Sequence, residues 1–371
     1  MIPYSRQFIS KKDKSFVLKA LSSDFLTTGP LVKKFEDELS KKFNVKYAVV
    51  VNSATTGLHI STLALNFREK DMLWTSPISF VASSNCSLYC NGKVDFVDID
   101  DQTYNISIDD LIEKLKKIKN KKKFPKIVVP VHLGGNPSEM KQLKKLSTKY
   151  GFKIIEDASH AAGSRIGQSK IGSCRYSDIT VFSFHPVKPF TTAEGGAVLT
   201  NSKKIYKKLL LYRNQGMQRF KNPMYYDVVR LGYNYRLSDI QSALGISQLK
   251  SLNKFLVKRN NIAKYYIKNI SSKVRFQYIS PYNYSSFHLF IIRVPKKIRS
   301  LLIQKLLKSK IKTNLHYIPI YKFKIYKKFK FNMKNFKNSE KYYKEALSIP
   351  AYYGLKTSQQ KKIVKIINSF F

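Results

Sequence analysis

The first two-thirds of the chain alternates short apolar runs with longer helical patterns, and this alternation restricts the fold more than any other feature of the sequence. Buried strands are predicted where apolar residues cluster, at 47–51, 72–75, 94–97, 126–131, 152–155, 179–184 and 196–200. Because strands that alternate with helices usually pair in parallel, the pattern predicts an α/β fold with a mixed, mainly parallel sheet covered on both faces. Right-handed crossovers then place the strand ends at one edge, where ligands of α/β proteins bind.

The pattern changes towards the C-terminal third of the chain. A long helical stretch at 251–270, a strand at 287–294 and further helices predict a smaller α+β domain. We therefore expect a large domain at 1–250 and a small C-terminal domain at 251–371, with about the first 12 residues packing against the small domain. The lysine-rich, aromatic stretch 322–337 predicts a surface segment without a chemical role.

The charge of the chain suggests a different kind of function. Its 371 residues include 68 Lys and Arg against 23 Asp and Glu, a formal charge of +45, which is typical of proteins that bind nucleic acid in a salt-dependent way. However, 56 of these cations are lysines spread along the whole chain, and no zinc-finger, RNP-like or basic-zipper motif is present. We therefore expect a solvated lysine surface and no specific nucleic-acid partner, and we keep a basic nucleic-acid-binding protein as the alternative from another functional class.

Several other classes of protein are disfavoured by the sequence. No apolar run approaches the roughly 20 residues that span a bilayer, and residues 1–10 show no secretory signal pattern. Dinucleotide-binding, P-loop and zincin motifs are absent. Three cysteines are too few for a disulfide framework, and Cys86 and Cys90 have no His or Cys cluster near them. We expect a cytoplasmic protein with cysteines in its core, no metal site and no membrane association.

Polar residues directly follow three of the predicted strands. Asp157 ends one strand, and Lys188 follows another in a loop that is bounded by prolines and leads to a glycine pair. The segment 51–57 is a strand-to-helix turn of small hydroxyl residues. Because the carboxyl ends of parallel strands meet at one edge, we expect these three segments to lie close together.

These residue types suit an aldehyde cofactor that carries a phosphate. A lysine in a rigid, partly desolvated loop loses its proton readily and forms a Schiff base, so we expect pyridoxal 5′-phosphate on Lys188. Asp157 suits the pyridinium nitrogen, and the N–H groups that begin the next helix suit the phosphate, with hydroxyls from Ser53, Thr55 and Ser183. Taken singly, an aspartate at a strand end is often a helix cap and a lysine is often solvated. The occurrence of all these residues in this order along the chain indicates the cofactor more specifically than any one of them does.

At these residues the chain resembles the DegT-type nucleotide-sugar aminotransferases, a branch of the fold-type I aspartate aminotransferase superfamily. The resemblance extends in family order across nearly the whole chain. It is carried by NSATTGLH (52–59), TSPISFVASSN (75–85), EDASHAAGS (156–164), FSFHPVKPFTTAEGGAVLTN (182–201), RNQGM (213–217), GYNYRLSDIQSALGISQL (232–249) and LHYIPIY (315–321). It implies an aspartate-aminotransferase-like large domain.

The resemblance also implies roles for single residues. Lys188 corresponds to the lysine that binds the cofactor covalently and moves protons, and Asp157 to the partner of the pyridine nitrogen. His160 lines the cofactor, and Phe80 stacks on it. Phosphate contacts correspond to Ala54, Thr55 and Ser183. Asn234 corresponds to an asparagine that reaches the phosphate from the partner subunit, which implies a homodimer. The segments near the sugar-nucleotide pocket contain Tyr4, Thr28, His185, Glu194, His316 and Tyr321.

Simpler interpretations of some of these residues remain open. Phe80 is also consistent with core packing, His160 with orienting a neighbour, and Asn234 with a turn before a helix. Glu194 either lines the site or caps a strand. One subgroup of the family has histidine in place of the lysine and catalyses dehydration, whereas this chain keeps Lys188.

The resemblance implies that an amino group moves from an amino acid, L-glutamate, to C4 of a UDP-linked 4-keto-6-deoxy-N-acetylhexosamine, in pseudaminic acid or surface-glycan biosynthesis. Within the family, IPYSRQ (2–7) and the TTAEGG pattern (191–196) favour that substrate. The alternative is the same reaction on a dTDP- or GDP-linked ketosugar. A regulatory protein on an inactivated aminotransferase fold is disfavoured because Lys188 and Asp157 are both present.

Overall fold

The structure is a computed structural model that describes residues 1–120, 124–222 and 224–371. Its helices are α1 Lys11–Leu21, α2 Pro30–Phe43, α3 Ala54–Ala64, α4 Ala82–Leu88, α5 Ile108–Lys116, α6 Met140–Tyr150, α7 Lys203–Arg213, α8 Asp239–Asn269, α9 Lys296–Lys308, α10 Lys337–Glu345 and α11 Thr357–Asn368. Its strands are β1 Tyr47–Val51, β2 Met72–Thr75, β3 Lys93–Phe96, β4 Ile127–Val129, β5 Lys153–Asp157, β6 Arg165–Ile166, β7 Ser169–Lys170, β8 Ile179–Ser183, β9 Gly196–Thr200, β10 Met217–Arg219, β11 Tyr226–Val228, β12 Arg275–Phe276, β13 Asn283–Tyr284, β14 Phe290–Arg293 and β15 Ala346–Ile349.

A seven-stranded sheet forms the centre of the fold, with the strand order β1-β9-β8-β5-β4-β2-β3. The neighbouring pairs from β3 to β8 are parallel, whereas β9 pairs antiparallel with both β8 and β1. Every residue of β8 and β9 is buried, as expected for strands that are covered on both faces. The predicted α/β class with a mixed, mainly parallel sheet is therefore confirmed.

The C-terminal part of the chain packs on a second, smaller sheet with the order β12-β14-β15. The start of the chain joins this part, because the Ile2 amide donates to the Lys310 carbonyl at 2.7 Å and the Ile2 carbonyl accepts from the Lys312 amide at 2.8 Å. Ile2 belongs to the same apolar cluster as strands β14 and β15. The N-terminal residues are thus held by the C-terminal part of the fold.

Helix α8 differs from the sequence-based expectation. The predicted helical stretch begins at 251, but α8 runs without a break from Asp239 to Asn269. A capping box formed by Ser238 and Gln241 begins it, and no proline lies inside it to end it near residue 250. The division into domains at 250 stays a prediction, and that position lies inside this helix.

The segment 322–337 also differs from expectation, because it is not simply a surface segment. Its lysines are at least partly exposed, but the rings of Tyr326 and Phe336 are buried in the apolar cluster beneath the large sheet. The Tyr326 hydroxyl bonds to Ser84 and Asn85 on helix α4, at 2.6 and 2.5 Å. Its role in the fold is to fix the segment against α4.

Neither a bilayer-spanning helix nor a metal-holding cluster occurs among the described residues. None of the helices in the described ranges is both long and apolar enough to cross a bilayer. Within the same ranges, no group of three or more His, Cys, Asp or Glu side chains is arranged to hold a metal ion. Cys86 is buried as predicted, and Cys90 is half-buried against the same cluster.

Candidate active site

The ends of β1, β5 and β8 meet at a cavity of about 530 Å³ between the large sheet and residues of the C-terminal part. Residues from all three predicted strand-end segments line it, as does the beginning of the chain. The predicted site residues in its wall are Tyr4, Ser53, Ala54, Thr55, Phe80, Asp157, His160, Ser183, His185, Lys188, Glu194 and His316. The structure therefore brings together residues that are up to 312 positions apart in the sequence.

One end of the cavity is formed by the start of helix α3. Ser53 is the N-cap residue, and its hydroxyl accepts from the Thr56 amide at 3.2 Å. The first N–H groups of a helix have no acceptor within the helix, so those of Ala54 and Thr55 are available to an anion. Ser183, at the end of β8, adds a hydroxyl to the same wall. This end therefore offers N–H and O–H donors suited to a phosphate.

Gly196 lets strand β9 approach this helix start very closely. A Cβ atom at this position would lie 2.7 Å from the Ala54 nitrogen and 2.8 Å from the Ser53 carbonyl carbon. Both are backbone atoms, so no side-chain rotation relieves the contact. The glycine therefore fixes the position of the Ser53–Ala54 turn against the sheet.

Asp157 lies on the floor of the cavity at the end of β5, and only 4% of its surface is exposed. The Ser83 hydroxyl donates to its Oδ2 at 2.5 Å, and Ser79 bonds to Ser83 at 2.7 Å. The Ser159 amide donates to Oδ1 at 3.1 Å. These donors hold the carboxylate in one orientation in the wall of the cavity.

Lys188 lies in the loop between β8 and β9. The Lys188 amide donates to the His185 carbonyl at 2.9 Å, and the Ser5 hydroxyl donates to the Val187 carbonyl at 3.2 Å, so the N-terminal segment holds this loop. Burial lowers the pKa of the Lys188 amine to about 8, although the nearby Asp157 carboxylate acts in the opposite direction. About a tenth of such amines are neutral at pH 7, compared with fewer than one in a thousand for a free lysine.

His160 and Tyr317 form a hydrogen-bonded pair in the opposite wall. The Gly134 amide donates to His160 Nδ1 at 3.3 Å, so Nε2 carries the proton and donates to the Tyr317 hydroxyl at 3.0 Å. Burial, followed by the charge of Lys188, keeps the pKa of His160 well below its usual range. Burial also lowers the pKa of His316, to about 3. These imidazoles are therefore neutral at physiological pH.

The cavity suits pyridoxal phosphate by the chemistry of its walls. It combines anion donors at one end, a buried carboxylate on its floor and a lysine whose pKa is lowered. Phe80 lines the cavity while 58% of its surface remains exposed, so it offers an aromatic face to a planar group rather than packing in the core. The residues present fit the cofactor that the sequence predicts.

Three predicted residues lie outside the cavity of their own chain. Thr28 lines a separate depression. Asn234 is an exposed residue whose backbone carbonyl oxygen lies 3.5 Å from the side-chain nitrogen Nδ2 of Asn52. The prediction that Tyr321 lies near the sugar-nucleotide pocket is wrong. A turn at Ile320–Lys322 directs its ring into the core, where its hydroxyl donates to Glu340 at 2.9 Å.

Several lining residues were missed by the sequence analysis. Tyr317 lies within the LHYIPIY segment, from which the sequence analysis predicted His316 and Tyr321 as residues near the substrate but not Tyr317. His288 precedes strand β14 of the small sheet, and its ring lies 4.5 Å from that of His160. No local pattern marks His288, because its place at the site depends on how the two sheets pack.

Comparison with known proteins identifies the family. Residues 7–368 match the sequence model of the DegT/DnrJ/EryC1/StrS aminotransferases. The chain belongs to this family. The predicted family and fold-type I fold are thereby confirmed.

Relatives and solved structures of the aminotransferase family match the chain over most of its length. A UDP-4-amino-4,6-dideoxy-N-acetyl-beta-L-altrosamine transaminase of Campylobacter jejuni is 40% identical over 97% of this chain and 95% of its own. The structure of Helicobacter pylori PseC, an aminotransferase involved in the biosynthesis of pseudoaminic acid, matches with a TM-score of 0.91 at 33% identity, covering 99% of this chain and 98% of its own. The PLP form of the putative sugar aminotransferase Spr1654 of Streptococcus pneumoniae matches with a TM-score of 0.92 at 27% identity, covering 99% and 98%.

Gly196→Ala is expected to weaken cofactor binding in this aminotransferase by about 10-fold or more, because the new Cβ must displace the Ser53–Ala54 turn. Titration of the apoprotein with pyridoxal phosphate, followed by absorbance, measures the dissociation constant. Gly354→Ala is the matched control, since its Cβ would meet nothing closer than 3.7 Å. Equal affinity in both variants would show that the turn does not contribute to binding.

Proposed function

We propose that this chain is a pyridoxal-phosphate-dependent aminotransferase acting on a nucleotide sugar. It transfers the amino group of L-glutamate to C4 of a UDP-linked 4-keto-6-deoxy-N-acetylhexosamine, in pseudaminic acid or surface-glycan biosynthesis. The observation that carries the proposal is that Lys188, Asp157 and the phosphate donors of Ser53 and Ser183 line one cavity. The relatives from Campylobacter jejuni and Helicobacter pylori support the choice of sugar.

The site residues divide the work of amino transfer. Pyridoxal phosphate, when bound, supplies the aldehyde and the electron-withdrawing ring that the reaction needs. Lys188 attaches the cofactor covalently, and its amine then takes up and returns the proton at the substrate carbon, for which a pKa near 8 is suitable. Asp157 stabilises positive charge on the ring nitrogen, while Ser53, Thr55 and Ser183 hold the phosphate. Glutamate would give its amino group to the bound cofactor and leave as its keto acid, and the ketosugar would then bind and receive that amino group.

The substrate-facing residues of this proposal come from the other walls. Tyr4, His185, Glu194 and His316 line the same cavity as Lys188, so they are available to a sugar. The hydroxyl of Tyr317 accepts from His160, which leaves its own proton free to donate to a bound oxygen. Phe80 lines the same cavity and offers an aromatic face to a bound planar group.

The proposal includes a homodimer with shared active sites, in which Asn234 reaches the site of the partner. The exposed apolar surface near Asn234 in the chain supports this homodimer. Large apolar side chains are exposed throughout residues 220–231 of the described chain, namely Phe220, Met224, Tyr225, Tyr226, Val228, Val229 and Leu231. Exposed apolar clusters of this size are typical of protein interfaces, and a second copy of the chain is the occupant we propose.

The proposed location is the cytoplasm. All three cysteines of the chain are free thiols, as expected in a reducing compartment. This placement agrees with a substrate that is an activated nucleotide sugar.

A panel of nucleotide ketosugars tests the function directly. With purified protein, pyridoxal phosphate and L-glutamate, the UDP-linked ketosugar is expected to give a kcat/KM at least about 10-fold above its dTDP- and GDP-linked counterparts. Mass spectrometry of the aminosugar product and assay of 2-oxoglutarate measure the reaction. A higher value with dTDP or GDP would select the alternative substrate, and no aminosugar from any of them would refute the function.

A further inference from the structure

His288 is an imidazole in the cavity wall to which the proposed function gives no role. Only 2% of its surface is exposed, and it lines the same cavity as Lys188. Its Nδ1 is buried and has no hydrogen-bond partner among the described residues. The ring packs instead against the ring of His160, with the two centroids 4.5 Å apart. Because an unpaired buried polar group costs roughly 1–3 kcal/mol, this imidazole is a candidate to bind a ligand in the cavity.

The backbone on both sides of His288 is fixed beside His160. The Ser286 hydroxyl donates to the His160 carbonyl at 2.6 Å. The Leu289 amide donates to the Gly134 carbonyl at 3.2 Å, and the Gly134 amide donates in turn to His160 Nδ1 at 3.3 Å. The imidazole of His288 is therefore held at this wall of the cavity by residues that precede and follow it.

Arg259, on helix α8, is a buried cation beside His288. One guanidinium nitrogen, Nη1, donates to the carbonyls of Phe287, His288 and Ala351, at 3.3, 3.1 and 2.5 Å. Only 3% of the Arg259 surface is exposed, and none of the carboxylates in the described ranges lies within 4.0 Å of its guanidinium. Burial lowers its pKa to about 10, so the group is still cationic at pH 7. An unpaired buried cation makes its surroundings favourable for an anion.

The imidazole of His288 feels this positive charge. Burial is the main cause that keeps the pKa of His288 well below its usual range, followed by His160 and by the charge of Lys188. The charge of Arg259 acts in the same direction. The ring is therefore neutral at physiological pH and has one N–H to donate. Because the charges that act on it are positive, a negatively charged acceptor is favoured over a neutral one.

The amino donor of the proposed reaction supplies such an acceptor. L-Glutamate carries its amine and its carboxylates on one small molecule, and its amine has to reach the cofactor at Lys188. Lys188 is close enough to lower the pKa of His288, so one small molecule can reach both residues. The diphosphate of a UDP-sugar is attached to C1, across the sugar ring from C4. When C4 reacts at the cofactor, the diphosphate therefore lies farther from Lys188 than a carboxylate of glutamate does.

We infer that His288 binds a carboxylate of the amino donor. The inference rests on the proposed function, in which that donor is L-glutamate. The imidazole N–H donates to a carboxylate oxygen, and a hydrogen bond to a charged acceptor is stronger than one between neutral groups. The buried charge of Arg259 further stabilises the bound anion. His288 is thus a substrate-binding residue for the first half of the reaction.

The reaction of the loaded protein with L-glutamate alone tests this inference. Without ketosugar, the absorbance of the bound cofactor follows amino transfer from glutamate, and its dependence on concentration gives an apparent dissociation constant. His288→Leu is expected to raise this constant by about 10- to 100-fold, because a hydrogen bond to a charged group is lost. The KM for the UDP-ketosugar at saturating glutamate is expected to stay unchanged. His288→Gln keeps an N–H donor and is expected to lie between wild type and His288→Leu.

His59→Leu is the matched control. His59 is also a buried histidine whose Nε2 has no hydrogen-bond partner among the described residues, but it does not line the cavity. The control is expected to keep the wild-type affinity for glutamate. Thermal unfolding and the dissociation constant of pyridoxal phosphate, measured for each variant, show whether a loss comes from the fold or from the cofactor. If His288→Leu does not fold, the affinity of His288→Gln decides, and a wild-type value there overturns the inference.

Two further ligands identify the carboxylate and separate binding from chemistry. Glutarate has both carboxylates and no amine, so calorimetry of the loaded protein with glutarate measures binding alone, and His288→Leu is expected to weaken it. L-Glutamine lacks the γ-carboxylate. If His288 binds the α-carboxylate, His288→Leu also weakens L-glutamine, whereas if it binds the γ-carboxylate, the affinity for L-glutamine is unchanged. Equal affinity of wild type and His288→Leu for glutamate and for glutarate would overturn the inference.

The inference and the proposed function fail in different ways. Wild-type protein that forms 2-oxoglutarate from glutamate but aminates no ketosugar would refute the proposed function, while the glutamate affinities of the His288 variants would still decide the inference. Wild-type protein that forms the aminosugar, together with an unchanged glutamate affinity in His288→Leu, would uphold the function and overturn the inference. A loss confined to the ketosugar would also overturn it.

Discussion

Lys188→Ala is expected to lower turnover by about 10⁴-fold or more, because under the proposed function the variant loses both the covalent attachment of the cofactor and the base that moves the substrate proton. The fold is expected to survive, since the loop that carries Lys188 is held by backbone contacts such as that of Ser5 to the Val187 carbonyl. Turnover of the ketosugar measures the loss. Borohydride reduction followed by mass spectrometry of tryptic peptides identifies the lysine that holds the cofactor.

Lys264→Ala provides the control for this experiment, because Lys264 is an exposed lysine on α8 far from the cavity wall. The control is expected to retain wild-type turnover and the reduced cofactor adduct. Wild-type turnover in Lys188→Ala, or an adduct on another lysine, would contradict the assignment of Lys188. Thermal unfolding of the two apoproteins shows whether any loss of activity comes from unfolding.

Asp157→Asn is expected to lower kcat by about 10²- to 10³-fold, which corresponds to about 3 to 4 kcal/mol. The amide keeps the size of the side chain and an oxygen for the Ser83 hydroxyl, but it no longer offsets positive charge on the cofactor ring. The absorbance spectrum of the loaded protein is expected to change together with kcat. A drop in KM alone, with kcat unchanged, would exclude this role.

Glu156→Gln separates this effect from the general cost of changing a buried carboxylate. Glu156 is also buried, but alternation along β5 directs it to the other face of the sheet, where it contacts His132 at 2.9 Å and Thr180 at 3.2 Å. The variant is expected to unfold at a lower temperature while keeping the wild-type kcat and spectrum. Equal losses of kcat in both variants would indicate a structural role for Asp157 too.

Much of the site was predictable because its central residues are encoded locally. Asp157 and Ser183 end apolar strands, and Lys188 follows one, so the direction of a parallel sheet is enough to bring them to one edge. Ser53 is recognisable as a helix cap by its own neighbours. For these residues, strand patterns and the family resemblance led to the same positions.

The remaining residues depend on contacts that no local pattern specifies. His288 and Tyr317 reach the cavity because the C-terminal part of the chain packs over the sheet edge, and Ser83 matters only because it bonds to Asp157 across 74 positions. Thr28 and Asn234 lie outside the cavity of their own chain, so their roles stay predictions about a pair of chains. The charge of +45 did not indicate where the site lies, because Lys188 is the one lysine among the described residues that line the cavity.

The unbroken helix α8 limits how the site can open. At about 1.5 Å per residue its 31 residues extend roughly 46 Å, from the helices that flank the large sheet to the small sheet. A hinge needs a few residues whose backbone angles are free to change, and a hydrogen-bonded helix without proline has none at position 250. The two parts of the chain are therefore joined by a helix that resists bending. Substrate exchange is consequently not expected to depend on bending of α8 near position 250.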